Sequence, residues 1–202
     1  MVGCCQGAGA TFISTSLAFA MASEAGGVAY IESPSANRYR QESSIADALS
    51  IKRKLSGSET IQYDVLWKFR EKWADVNFLE WEEDWIEYAI YDNPKSYRGF
   101  DLIICVVDSL PSKILFSVKT VAHFKEYFSN RVLWILNREC GQNIRVIEKK
   151  LGIRFDYTVP VQPTETFYKA EMQGRPLFKT KMMDEGVVKT VKNLAKYIIE
   201  LY

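Results

Sequence analysis

Residues 102–107 read Leu-Ile-Ile-Cys-Val-Val, a run without one polar side chain. A strand with one wet face alternates apolar and polar residues. A strand apolar at every position is covered on both faces, as in a parallel sheet clad by helices on either side. Residues 131–137 (Arg-Val-Leu-Trp-Ile-Leu-Asn) read as a second buried strand, and 155–159 as a third strand, stopped by Pro160. Helical stretches separate them. Pro111-Ser112 opens one over about 113–128. A second covers 143–151 and is closed by Gly152, and the last covers about 184–201. Upstream, a short apolar start at 1–5 enters a Gly-rich turn and a helix over about 11–23, ended by Gly26-Gly27. Residues 28–31 read as a short strand. Residues 45–55 read as a helix stopped by Ser56-Gly57-Ser58. The segment 63–91, rich in Trp and acid, reads as partly helical with a strand at 76–79. Strands alternating with helices imply an α/β fold, a doubly wound and mostly parallel sheet with right-handed crossovers. The 202 residues are 48% hydrophobic, which suits one domain spanning 1–202, and no linker divides it.

Composition narrows the function. With 26 basic and 25 acidic residues the net charge is +1, which gives no reason to expect nucleic acid or an anionic membrane as partner. Cys4, Cys5, Cys105 and Cys140 show no CxxC spacing, and adjacent Cys4 and Cys5 suit neither a disulfide nor a zinc site. Free thiols point to a reducing cytoplasm. His123 is the only histidine, so a histidine-rich metal site is excluded and any Ser-His or Cys-His centre would have to use it. Residues 8–22 imitate a signal peptide that ends in Ala20-Met21-Ala22. The first basic residue is Arg38, however, and a signal peptide needs a basic start.

In an open parallel sheet, ligands bind where strands end and helices begin. The first such junction reads Gly3-Cys4-Cys5-Gln6-Gly7-Ala8-Gly9-Ala10-Thr11. Small residues let backbone N–H groups turn into one cavity, and the following helix adds its positive end, a combination that suits phosphate. Against the phosphate-loop pattern GxxxxGK[ST], Gly9 is the second glycine, Ala10 takes the lysine place and Thr11 the hydroxyl place. Cys4 takes the first glycine place, with Gly3 one residue early.

The chain resembles the ParA/MinD group of P-loop ATPases over almost its full length. The family loop K-G-G-x-G-K-T-[ST] is similar to Cys5-Gln6-Gly7-Ala8-Gly9-Ala10-Thr11-Phe12. The family's second strand ends in an acid, like Val28-Ala29-Tyr30-Ile31-Glu32. Its Walker B strand resembles residues 100–108, ending at Asp108. Its strand with a terminal Asn resembles Val132-Leu133-Trp134-Ile135-Leu136-Asn137. The closing signature resembles Val159-Pro160-Val161-Gln162-Pro163 and then Ala170-Glu171, Gly174, Pro176-Leu177.

This resemblance implies a P-loop fold that binds ATP and Mg²⁺. Gly7, Ala8, Gly9, Ala10, Thr11 and Phe12 would hold the phosphates, Asn137 and Pro160 would flank the adenine, and Thr11 with Asp108 would hold Mg²⁺, Asp108 also being the catalytic acid. Because residues 101–108 are longer than the family's usual spacing, either Asp108 holds the Walker B place or that acid is lost. The switch acid falls on Glu32 or Ser35. Both family lysines are replaced, by Cys5 and Ala10, so the expectation is weak nucleotide binding with little or no hydrolysis. Arg38, Arg40, Lys113 or a partner's arginine would have to make up the charge. The resemblance also implies a homodimer around nucleotide and a protein partner, with positioning, partitioning or regulation as the role. The alternative is a pseudo-ATPase that serves only as a protein-interaction module.

Trp67, Trp73, Trp81 and Trp85 lie in the acidic segment. They read as aromatics packed on the sheet, or else as an exposed surface for a protein partner. The C-terminal helix carries Val187, Val188, Val191, Leu194, Ala195, Ile198 and Ile199, with Lys189, Lys192 and Lys196 between them. It is expected to pack on the domain rather than lie on a membrane. Ser112-Lys113 reads equally as a modified phosphate-sensing switch or a plain helix start.

Overall fold

A computed structural model describes residues 1–25, 27–32, 51–55, 58–63, 66–70, 86–94, 97, 99–161 and 183–202, the three strands between 51 and 70 by their backbone. The strands are β1 (Val2–Gly3), β2 (Val28–Glu32), β3 (Ile51–Leu55), β4 (Ser58–Tyr63), β5 (Leu66–Arg70), β6 (Tyr88–Asp92), β7 (Ile103–Asp108), β8 (Val132–Glu139) and β9 (Tyr157–Pro160). The helices are α1 (Ala10–Glu24), α2 (Pro111–Phe128), α3 (Ile144–Leu151) and α4 (Glu185–Leu201). One ladder runs β1-β7-β8-β9, parallel throughout. The other runs β3-β4-β5-β2-β6, in which β2 is parallel to both β5 and β6 while β3, β4 and β5 form an antiparallel meander. The Asn93 N–H donates to the Met1 carbonyl at 2.8 Å, which sets the end of β6 beside the start of β1. The sheet is mostly parallel with helices on its faces, as the strand–helix alternation implied.

The all-apolar run of β7 is explained by its neighbours. Ile104 and Val106 join a core with Ile13 and Leu17 of α1 and Val187, Val191 and Leu194 of α4. Ile103, Cys105 and Val107 point the other way, to Ile114, Val121 and Phe124 of α2 and Ile147 and Leu151 of α3. Period-two alternation thus feeds two helix layers. Helix α1 is buried on nearly every side, from Ile13 and Ser14 through Ser16 to Ala22. Its sequence of apolar and small residues, which imitates a signal peptide, is that of a helix enclosed between the sheet and α4. The apolar face of α4 is in the core, as expected of a helix packing on its own domain, and Asp184 caps it by accepting from the Gly186 and Val187 N–H groups.

Two stretches depart from expectation. Residues 45–55 were expected as helix, but Ile51–Leu55 is a strand paired with Ser58–Tyr63. Leu55 pairs with Ser58, a residue of the expected helix stop Ser56-Gly57-Ser58 that instead begins β4. Tyr88–Asp92, at the end of the segment 63–91 read as acidic and partly helical, is also a strand. The strand expected at 76–79, residues Arg38, Arg40, Ser35, Trp73, Trp81 and Trp85, and the signature from Gln162 to Leu177 lie outside the described residues, while Trp67 falls in β5.

Candidate functional site

The carboxyl ends of β1, β6, β7 and β8 converge where α1 and α2 begin. The chain leaves β1 at Gly3, whose N–H donates to Asn93 Oδ1 at 3.0 Å, and Cys4 N–H continues to Val106 O at 2.9 Å. The loop then turns back on itself, with Ala8 N–H reaching Cys5 O at 3.2 Å. Gly7 (φ 74°) and Gly9 (φ 89°) both take left-handed backbone. Gly9 is needed for a second reason. A Cβ there would lie 2.2 Å from Asn137 Nδ2, and that buried amide donates to Ala8 O at 2.9 Å. Helix α1 starts at Ala10 with Gly9 as its cap, so the positive helix end faces the loop.

Thr11, in the first turn, donates its Oγ1–H to Asp92 Oδ2 at 2.7 Å. The same carboxylate oxygen accepts from Tyr30 OH at 3.2 Å, and Asp92 Oδ1 accepts from Asn93 Nδ2 at 2.8 Å. Asp92 is completely buried at the end of β6. A hydroxyl and a carboxylate side by side at the foot of a phosphate loop are the oxygen ligands that Mg²⁺ takes in P-loop proteins. Asp108 does not reach Thr11. It too is fully buried, but its carboxylate pairs with the Arg138 guanidinium and accepts from Leu110 N–H at 2.9 Å. The Mg²⁺ and catalytic role expected of Asp108 therefore has no support in its position; the carboxylate that meets Thr11 is Asp92. Asp108 instead ties the start of α2 to Arg138, a residue in left-handed backbone (φ 60°) at the irregularity that ends regular β8–β9 pairing.

Of the other expected residues, Ala8 and Ala10 are buried, Thr11 and Phe12 half-buried, and Gly7 exposed. The Asn137 amide, expected against adenine, is engaged with the underside of the loop. Pro160 ends β9 beside the start of α4, within 3.2 Å of where a Cβ on Gly186 would stand. Lys113, in the first turn of α2, donates its Nζ–H to Gln6 O at 2.7 Å. Sequence reasoning missed Asp92 and Asn93. Their signal was present in Tyr88-Ala-Ile-Tyr-Asp92-Asn93-Pro94, a short strand ending in an acid before a proline, but the surrounding Trp and Glu masked it.

No family model and no curated protein matches the chain. Solved structures do. A ParA family ATPase from Chlorobium tepidum superimposes with a TM-score of 0.67 at 17% identity, covering 98% of this chain and 96% of that one. MinD in the MinC:MinD cell division complex of Aquifex aeolicus gives 0.68 at 16%, covering 98% and 93%. MinD from Pyrococcus horikoshii, complexed with Mg-ADP, gives 0.64 at 14%, covering 98% and 93%. Identity this low carries the fold alone. The parallel strand order, the glycine loop at the head of a buried helix and these superpositions together give the chain a ParA/MinD-like P-loop fold.

Proposed function

We propose that the chain, acting as one unit over residues 1–202, binds ATP with Mg²⁺ in the loop formed by residues 3–11 and hydrolyses it slowly or not at all. One observation carries this reading: the Thr11 hydroxyl sits 2.7 Å from the Asp92 carboxylate at the foot of that loop. Phosphates would be held by the loop's backbone N–H groups, and Mg²⁺ by Thr11 and Asp92, as in P-loop proteins generally. The metal would supply charge neutralisation between neighbouring phosphate oxygens. Cys5 and Ala10 bring no charge to the loop. Each missing charge-assisted bond is worth about 1.5–3 kcal/mol, so affinity falls by about tenfold or more for each. Hydrolysis suffers more, because phosphoryl transfer depends on neutralising charge that develops on the phosphate. The Mg-ADP bound by the Pyrococcus horikoshii MinD supports this choice of ligand.

The role we assign is positioning, partitioning or regulation through a protein partner, with nucleotide-linked homodimerisation, in the cytoplasm. The four free cysteines suit that compartment. A second reading, partner binding without nucleotide, is favoured by Leu110 at the head of α2 and Leu115 and Phe116 on it, which are 47%, 59% and 74% exposed. Calorimetric titration with ATP, with and without Mg²⁺, decides between the two. Heat of binding and an upward melting shift are expected; neither at ~1 mM ATP would sink the nucleotide reading.

A further inference from the structure

We infer that Lys113 supplies the phosphate loop with the positive charge that positions 5 and 10 lack. This inference rests on the nucleotide reading above and assigns a residue to it. Lys113 belongs to α2, a different helix from the one the loop feeds, and 107 residues separate it from the loop carbonyl it touches. Its Nζ donates to Gln6 O at 2.7 Å and stands 3.6 Å from where a Cβ on Gly7 would be, so the ammonium lies on the bend of the loop at Gln6-Gly7.

The position is electrostatically odd unless an anion shares it. Lys113 is the only charged residue in the first turn of α2, which holds no acid, and there its charge opposes the positive end of the helix dipole. Among the described residues it makes no ion pair; the pairs there are Arg138–Asp108 and Lys196–Glu200. A neutral carbonyl is its partner instead. The start of α1 and the Lys113 ammonium therefore face the same loop, while the nearby carboxylates are already engaged, Asp92 with Thr11 and Asp108 with Arg138 and the Leu110 N–H. A phosphate chain on the loop would be attracted to both positive features. The Asp108–Leu110 bond and the Asp108–Arg138 pair fix where α2 begins and hence where Lys113 projects. Lysine suits the task, because a point charge on a flexible stem adapts to a phosphate oxygen without needing planar geometry.

The test is ATP binding by calorimetry to the wild type, Lys113→Ala, Lys113→Arg and the double variant Cys5→Lys/Lys113→Ala, with AMP as the ligand lacking the outer phosphates. Melting of each protein without nucleotide checks the fold. Lys113→Ala is expected to weaken ATP by about ten- to a hundredfold, the loss of one charge-assisted contact, while AMP affinity changes by less than about threefold. Lys113→Arg should retain most of the affinity. Cys5→Lys should restore it, because Cys5 is half-buried at the same bend and returns a charge from within the loop. If Lys113→Ala binds ATP as the wild type does, the assignment is overturned and the nucleotide reading stands. If affinity falls but neither Lys113→Arg nor the double variant recovers it, the residue shapes the loop rather than charging it, and the assignment is again overturned. If the wild type itself binds no ATP, the nucleotide reading fails, and the assignment with it.

Discussion

Gly9→Ala isolates the steric logic of the loop. The alanine must adopt φ near 89° and place a Cβ 2.2 Å from Asn137 Nδ2. Left-handed backbone costs an L residue about 1–2 kcal/mol. Relieving the clash pushes the Asn137 amide off Ala8 O, which leaves a buried donor unsatisfied at about 1–3 kcal/mol. The sum is a loss of about 2–5 kcal/mol in unfolding free energy. The two contributions are separable. In an Asn137→Ala background the colliding atoms are gone, so Gly9→Ala should cost only the backbone share, about 1–2 kcal/mol. Urea unfolding of the wild type, both single variants and the double variant gives the cycle, provided their m-values agree. The double variant should be more stable than the summed single losses predict, by about 1–3 kcal/mol. Additivity within about 0.5 kcal/mol would refute the claim that Gly9 is constrained by Asn137.

Three further outcomes are expected. Asp92→Asn should remove the dependence of ATP affinity on Mg²⁺, so that titrations with and without the metal converge, whereas Asp108→Asn should leave that dependence in place. In the native protein a thiol reagent should label exposed Cys140 first and Cys105 last, since Cys105 is fully buried and burial pushes its thiol well up, and ATP should slow labelling of Cys5; equal rates at all four by mass spectrometry would contradict the packing. Asp184→Ala should destabilise the protein by about 1 kcal/mol in urea, because it removes the cap of a helix whose inner face is core.

Much of this was legible because particular residues left little choice. The unbroken apolar runs of β7 and β8 demand cover on both faces, and they receive it. Gly7 and Gly9 mark left-handed backbone, and both adopt it. Other features were hidden for physical reasons. Ile51-Lys52-Arg53-Lys54-Leu55 has too few apolar residues to distinguish a helix face from a strand face, and only its pairing with β4 decides. Asp92 and Asp108 are both acids at strand ends followed closely by a proline. Which of them meets Thr11 depends on strand order, and no local pattern encodes that β6 rather than β7 brings its acid there. Lys113 was one of several basic residues near loop ends, and its reach to Gln6 exists only once α2 is docked.

The enclosure of α1 has a consequence for how this site can change over evolutionary time. A helix with one wet side has positions where variation is nearly free. α1 has almost none, since the buried set runs around its whole circumference and includes Ala10, its first residue. Charge or bulk added within it disturbs packing against the sheet and α4 together. Innovation at the site is therefore channelled to residues that approach from outside, on the early bend of the loop or the opening turn of α2. The socket is conservative by construction, and its electrostatics are set by whatever neighbouring elements lean over it.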